Sequence, residues 1–406
     1  MTLSLTLDDI LAARARIHDG IVATPLIPAL ALADRVPCPL HLKLESAQRT
    51  GSFKDRGALN RLLALTPEEC RRGVVTASAG NHAQAVAYHG RRLGITVTVV
   101  MPQHTPLVKV ANTRRFGAEV HFHGHTLSDA MGEARRIGAE EQRVLVHPFD
   151  DDAVIAGQGT IGLELLEQLP ELTTVVVPIG GGGLVSGIAL AIKSSRPDVR
   201  IFGVEAAAAA SALASRRAGR VVPIETTETI ADGIAVKRVG DRTFPIIERY
   251  VDDIVAVTEA QIAESVHLFL EHQKVLAEGA GASPLAALLA GHLPLRASDV
   301  AVVVLSGGNI DVNLVQRIID RGLVGDGRLA RLAVTVRDRP GHLARLTQLV
   351  AEEGANVLDV AHRRAFADIS VRDVEIVMSL ETRGRAHMDL VIARLDREGY
   401  AVNQVL

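Results

Sequence analysis

From about residue 5 to residue 315 the chain repeats one pattern: a short apolar run rich in Val and Ile, then a helical stretch carrying Ala, Leu, Glu and Arg. The clearest runs are Gly73–Thr76, Thr96–Val100, Thr174–Ile179, Arg200–Val204 and Val300–Leu305. Continuous apolar runs suit strands covered on both faces, and strands that alternate with helices imply an open parallel α/β sheet. Helix starts are marked by Thr66-Pro67-Glu68-Glu69 and Thr105-Pro106, with Thr as N-cap and Pro at the first helical position, and by Thr258-Glu259. Ligands of such sheets bind at the carboxyl ends of the strands, so function is sought in the residues that follow each run.

The rhythm then changes. Residues 318–328 carry several charges and three Gly, and read as a linker between a catalytic domain, 1–317, and a C-terminal module, 329–406. In that module Arg331–Val336 alternates as a strand, and the turn Asp338-Arg339-Pro340-Gly341 opens an amphipathic helix through Glu353. Asn356–Ala361 and Val374–Leu380 read as strands, Ala386–Glu398 as a helix and Tyr400–Leu406 as a last strand. This is βαββαβ, a ferredoxin-like module. A total of 406 residues fits two or three domains.

Composition removes several function classes. A net charge of −3 gives no footprint for nucleic acid or an anionic membrane, and with 3% aromatics and no Trp there is little to stack on bases. Cys38 and Cys70 can form no disulfide framework and match no metal-ligand spacing, which fits a reducing compartment. The N-terminus lacks a basic region followed by an apolar one, and apolar runs such as Val300–Leu305 are too short to span a bilayer. We therefore expect a soluble cytoplasmic protein.

Four motifs carry chemistry. In Ser46-Ala47-Gln48-Arg49-Thr50-Gly51-Ser52-Phe53-Lys54-Asp55 a small polar loop precedes a helix that begins near Lys54. An ammonium is disfavoured at the positive end of a helix dipole, which favours a neutral, nucleophilic amine, and Phe53 adds an apolar face. Taken alone, Lys54 reads as a solvated surface lysine after a turn, as most lysines are. In Thr76-Ala77-Ser78-Ala79-Gly80-Asn81-His82 a strand end leaves backbone N–H groups free for an anion such as a carboxylate; taken alone, it is equally an ordinary capped βα turn. Gly180-Gly181-Gly182-Gly183 follows the run Thr174–Ile179 and can wrap N–H donors round a phosphate, without the spacing of a dinucleotide fingerprint or a P-loop. Ser306-Gly307-Gly308-Asn309 follows Val300–Leu305.

These four motifs, in this order, resemble the serine/threonine dehydratases of the tryptophan-synthase-β-like superfamily, enzymes that use pyridoxal 5′-phosphate (PLP). The likeness covers nearly all of residues 5–315. It implies two open parallel α/β subdomains with PLP between them, the smaller at about 50–150. It implies Lys54 as the residue that carries the cofactor and takes the substrate Cα proton, with Phe53 packed against the pyridine ring. Ser78, Ala79, Gly80, Asn81 and His82 would line the substrate-carboxylate loop, with Asn81 also reaching the cofactor's phenolic oxygen. Gly180, Gly181, Gly182 and Gly183 would hold the phosphate. Ser306 would meet the pyridine nitrogen; a hydroxyl leaves that nitrogen unprotonated, which favours prompt loss of the β-substituent. The implied reaction converts threonine to 2-oxobutanoate and ammonia, and serine to pyruvate.

Departures narrow the reading. Racemases of this superfamily carry Ser where this chain has Ala79, so one-sided proton chemistry, hence elimination, is favoured. Relatives that bind a divalent cation use a Glu and an Asp; here Glu205 is present but Ser211 takes the Asp position, and we assign no metal ligands. Glu278 and Thr229–Gly233 lie in segments that the resemblance places near the cofactor. His121, His123 and His125 alternate on one strand face, with no Cys or carboxylate in sequence to complete a metal set. Arg91-Arg92 and Arg114-Arg115 read as solvated helix faces.

Residues 329–406 resemble an ACT domain through the turn Asp338–Leu343. This implies an amino-acid effector near that turn and Asn356, feedback control, and a homodimer or homotetramer; a module that only dimerises is the plainer alternative. Competing functions are a serine or 3-hydroxyaspartate dehydratase, a racemase, a β-replacement synthase, and a non-catalytic amino-acid sensor.

Overall fold

The computed structural model describes residues 3–364, 370 and 372–405, which form two compact units, Met1–Ile310 and Asp311–Leu406. The strands of the first are β1 (Leu26–Pro28), β2 (Leu40–Leu44), β3 (Val74–Ala77), β4 (Val97–Met101), β5 (Glu119–Phe122), β6 (Val144–Leu145), β7 (Thr174–Pro178), β8 (Arg200–Ala206), β9 (Asp253–Val257) and β10 (Ala301–Leu305). They make two sheets, one in the order β1-β2-β10-β7-β8-β9 and one in the order β5-β4-β3-β6. All pairings are parallel except that of the edge strand β1 with β2. The smaller sheet is drawn from the chain between β2 and β7, and each sheet has its own apolar core. Val175, Val177, Ile188, Val302 and Val304 belong to one, and Val74, Val86, Val97 and Val99 to the other. Strands β3, β4, β7 and β10 are buried at every position, which is why they read as unbroken apolar runs.

Local chemistry sets the helix starts. Thr66 caps the helix Pro67–Arg72: its hydroxyl accepts from Glu69 N at 3.2 Å, and the Glu69 carboxylate accepts from Thr66 N at 2.7 Å. Thr258 caps Glu259–Leu268 in the same reciprocal way with Gln261. The start expected at Thr105 falls one residue later. Pro106 is the N-cap of Leu107–Arg115, because the Thr105 hydroxyl is turned back to Pro102 O at 2.8 Å.

The second unit holds β11 (Leu329–Arg337), β12 (Asn356–Arg363), β13 (Asp373–Glu381) and β14 (Ala401–Gln404), with helices His342–Glu352 and Arg385–Arg397. Its antiparallel sheet has the order β12-β13-β11-β14, the ferredoxin-like arrangement read from sequence. Leu406, expected in the last strand, lies outside the described residues. The stretch read as a linker is mostly helix, Val312–Gly325, capped by the Asp311 side chain on Asn313 N at 2.9 Å. Leu314, Val315, Ile318, Ile319 and Leu323 form a stripe along it while Arg317, Asp320 and Arg321 stay exposed, so the charges mark the outer face of an amphipathic helix. Among the described residues no helix is long and apolar enough to cross a membrane.

Candidate active site

Lys54 is the first residue of the helix Lys54–Leu63, at the positive end of its dipole. The same first turn of that helix is locked by a buried ionic network. Arg56 donates to Glu45 through Nε and Nη2, each at 2.8 Å, and to Glu164 through Nη1 at 2.5 Å and Nη2 at 2.9 Å. Lys43, on β2, donates to the same Glu164 at 2.5 Å and to Thr24 O at 2.8 Å. Arg56, Lys43 and Glu45 are fully buried, and breaking such a network strands a charge at a cost of about 3–5 kcal/mol. The loop before the helix is equally fixed. Asp55 accepts from Thr50 N and Oγ1 at 2.9 and 2.7 Å, and Gly51 O accepts from Gly308 N at 3.0 Å.

The Lys54 amine donates to Pro148 O at 2.7 Å and lies 5.0 Å from the centroid of the Phe53 ring. Burial lowers its pKa to about 8, against an opposing pull from the Glu278 carboxylate. Phe53 N donates to Ser306 O at 3.0 Å, so the loop after β10 is bonded to the residue beside Lys54. Ser52 pairs with Gly307 as an isolated bridge, and the Ser52 hydroxyl is buried without a partner among the described residues.

The loop after β3 is held by side chains. Asn81, first residue of the helix Asn81–Leu93, donates through Nδ2 to both carboxylate oxygens of Glu278, at 2.9 and 3.0 Å, and accepts through Oδ1 from Asn309 Nδ2 at 2.8 Å. Glu278 is buried, and burial raises its pKa to about 7. Within the loop Ser78 Oγ accepts from Gly80 N at 3.2 Å; Ser78, Ala79 and Gly80 are half-buried. A Cβ at Gly80 would meet nothing within 4 Å. His82 points elsewhere: its Nε2 lies 3.1 Å from Val146 O, and burial, helped by the Lys54 charge, lowers its pKa to about 3, so the ring is neutral.

The loop after β7 is held by packing. A Cβ at Gly181 would sit 2.2 Å from the Phe149 ring, and one at Gly180 would sit 3.0 Å from Ile234 Cα. Gly182 has φ +93°, and Gly183 opens the helix Gly183–Ser195. Gly181 O accepts from Thr243 Oγ1 at 2.7 Å and Gly240 N at 3.1 Å. Segment 229–234 thus lies against this loop through Ile234, while its Asp232 pairs with Lys109 of the helix after β4.

The structure joins Lys54, Phe53, Asn81 and Ser306 through Glu278, Asn309 and backbone bonds. Pro148, Phe149 and Thr243 carry no signal of their own in sequence, and Asn309, which closes the motif after β10, was given no role there. Glu205 is a helix cap: its two oxygens accept from Ala212 N and Leu213 N, each at 2.8 Å.

An α/β fold with a half-buried lysine amine of lowered pKa at the ends of parallel strands defines an enzyme equipped for amine chemistry. The chain belongs to the pyridoxal-phosphate dependent enzyme family, whose pattern it matches over residues 17–307, and it matches the ACT domain over 326–400. It is 46% identical to an L-threonine ammonia-lyase of Thermotoga maritima over 401 residues, 99% of this chain and 100% of that one. Among solved structures, the processed form of threonine deaminase isoform 2 from Solanum lycopersicum superposes with a TM-score of 0.73 at 37% identity, covering 77% of this chain and 91% of that one. Serine racemase from Dictyostelium discoideum gives 0.71 at 37%, covering 76% and 99%.

Proposed function

We propose that this chain is a PLP-dependent threonine ammonia-lyase that converts L-threonine to 2-oxobutanoate and ammonia and also accepts L-serine. The observation that carries the reading is the Lys54 amine, lowered to about 8 where three strand-end loops meet. Such an amine can carry a carbonyl cofactor and, once released from it, can accept a proton near neutral pH. The full-length likeness to an L-threonine ammonia-lyase supports the choice of substrate.

The residues present fit PLP. A lysine amine stands beside an aromatic face, open space lies in front of Gly80, and the buried Ser52 hydroxyl is unsatisfied. Lys54 would hold the cofactor covalently, Gly180–Gly183 its phosphate, Asn81 its phenolic oxygen, Ser306 its ring nitrogen, and Phe53 one ring face. When bound, PLP supplies the electron sink for charge developing at the substrate Cα. The chain's own residues do the rest. Ser78, Gly80 and the N-terminus of the helix Asn81–Leu93 would receive the substrate carboxylate. Asn81 is held in place by Glu278 and Asn309, and Lys54 takes the Cα proton. Ala79 offers no hydroxyl for proton delivery from the opposite face, which favours elimination over racemisation despite the likeness to a racemase. A cytoplasmic location, a homodimer or homotetramer, and an amino-acid effector near Asp338–Gly341 and Asn356 complete the proposal. Light scattering and turnover titrated with amino acids address the last two.

The decisive variant is Lys54→Ala. It should lower 2-oxobutanoate release from L-threonine by on the order of a thousandfold or more; retained turnover would overturn the assignment. Parallel assays with L-serine and 3-hydroxyaspartate, read for 2-oxo acid and for D-amino acid, separate the dehydratase from its competitors.

A further inference from the structure

Helix Leu127–Glu140 is amphipathic, and its buried positions are Ala130, Glu133, Ala134 and Ile137. A carboxylate thus occupies a core-facing site, where burial is costly unless cations meet it. Arg136 is one, bonding through Nη2 to Oε1 at 2.7 Å and through Nε to Oε2 at 2.8 Å. Those bonds hold the Glu133 carboxyl down to about 2. Two further groups face the same carboxylate from β5 and its extension. His121 Nε2 is 3.3 Å from Oε1, and His123 Nδ1 is 4.0 Å from Oε2. The two rings lie nearly parallel, 14° apart. His123 keeps strand alternation because its N–H still bonds Met101 O at 2.9 Å. Gly124, at φ +65°, then turns the chain, and His125 leaves the face to stack on His104 at 5.4 Å.

We propose that His121, His123 and Glu133 form a site for one divalent transition-metal ion of the zinc type. The three ligand atoms lie within 4.8 Å of one another. Ligand bonds of about 2.0–2.1 Å in a tetrahedron place donor atoms roughly 3.3 Å apart, which is the His121–Glu133 separation, while His123, 4.0 Å from the carboxylate, must move inward to close the set. Two imidazoles and one carboxylate form a borderline donor set, suited to Zn²⁺, Co²⁺ or Ni²⁺ rather than Mg²⁺ or Ca²⁺. The half-exposed histidines, at 48% and 49%, leave the fourth position to solvent. Arg136 keeps a second carboxylate partner in Glu140, so its charge stays compensated when the metal shares Glu133. The ion clasps the edge strand β5 to the helix behind it, and none of its ligands belongs to the candidate active site.

The test uses the full-length, PLP-loaded protein, stripped of metals by a chelator and titrated with Co²⁺. One Co²⁺ per chain should bind, give visible d–d bands, be displaced by Zn²⁺ and raise the melting temperature. His121→Ala and His123→Ala should each weaken binding at least about tenfold, while His125→Ala leaves it unchanged. All three histidines lie at the surface, so the variants should fold. If the wild type binds no Co²⁺, or the His121→Ala/His123→Ala double variant binds it like the wild type, the histidines are only extra partners of a buried carboxylate and the proposal fails.

Discussion

Two loops leave the ends of parallel strands in the first unit, and they are built in opposite ways. The loop after β7 is packed against protein at each of its four glycines: Phe149, Ile234 and Thr243 lie where side chains would begin. The loop after β3 faces open space at Gly80 and owes its shape to a chain of side chains, Asn309 to Asn81 to Glu278. The first is a cradle whose form is set by the fold. The second is a gap whose rim is set by hydrogen bonds, and such a rim can readjust as a ligand enters. A phosphate, the same in every turnover, suits the first; a substrate that arrives and leaves suits the second.

The contrast is tested most severely at Gly181. A methyl there meets ring atoms of Phe149 at 2.2 Å, with no free volume on that side. Gly181→Ala should cost on the order of 3 kcal/mol, the upper part of the overpacking range, and should lower retention of PLP. Thermal melts and the visible absorption of the bound cofactor read the two effects. Gly181→Ala/Phe149→Ala should recover part of each; no recovery would mean that Phe149 does not set the cradle.

The cradle also shows what a sequence reveals. Its glycines are legible because a run of four at a strand end is entropically costly and needs a reason. Phe149 and Thr243, which give the glycines their shape, are ordinary residues from distant loops. Lys54 was readable as a lysine opening a helix, but the ionic network that fixes its helix joins β2 to a helix more than 100 residues away. Strands β3, β4, β7, β8 and β10 were legible because burial on both faces leaves continuous apolar runs, whereas the part-exposed β1, β2, β6 and β9 were not. The helix Val312–Gly325 was not, because its exposed charges and its glycines resemble those of a linker. Glu133, which completes a set with His121 and His123, sits ten residues further on, and only the fold brings it to β5.

The rim after β3 is tested next, through pH. Glu278 has its pKa raised from 4.5 to about 7 by burial, so the folded state holds a proton that the unfolded chain has already lost. Its stabilising contribution is complete below about pH 4.5 and is lost as pH rises through 7. Between these limits it lowers stability by at most about 1.4 kcal/mol per pH unit. Glu278→Gln removes this titration, so unfolding free energies measured across pH 4.5–7 should slope downward less in the variant. It also deprives Asn81 of one of its two acceptors, so KM for threonine should rise more than kcat falls. Equal slopes in the two proteins would show that Glu278 does not keep its proton on folding.

The smallest effect on the fold, and the sharpest on the comparison, belongs to Gly80→Ala. Gly80 has φ −130° and ψ −142°, on the negative-φ side that carries no left-handed strain, and the added methyl meets nothing within 4 Å. Stability should change by no more than about 0.5 kcal/mol, as at an unconstrained surface position. The methyl nevertheless projects into the space that the loop offers a substrate carboxylate. KM for threonine should then rise by about tenfold, the equivalent of about 1.4 kcal/mol of binding, with PLP retention unchanged. A glycine that is free in the structure yet constrained in the assay is what a gap shaped for a ligand predicts. If Gly80→Ala instead lost PLP while leaving KM unchanged, the two loops would exchange roles, with the rigid cradle serving the substrate and the open rim the cofactor.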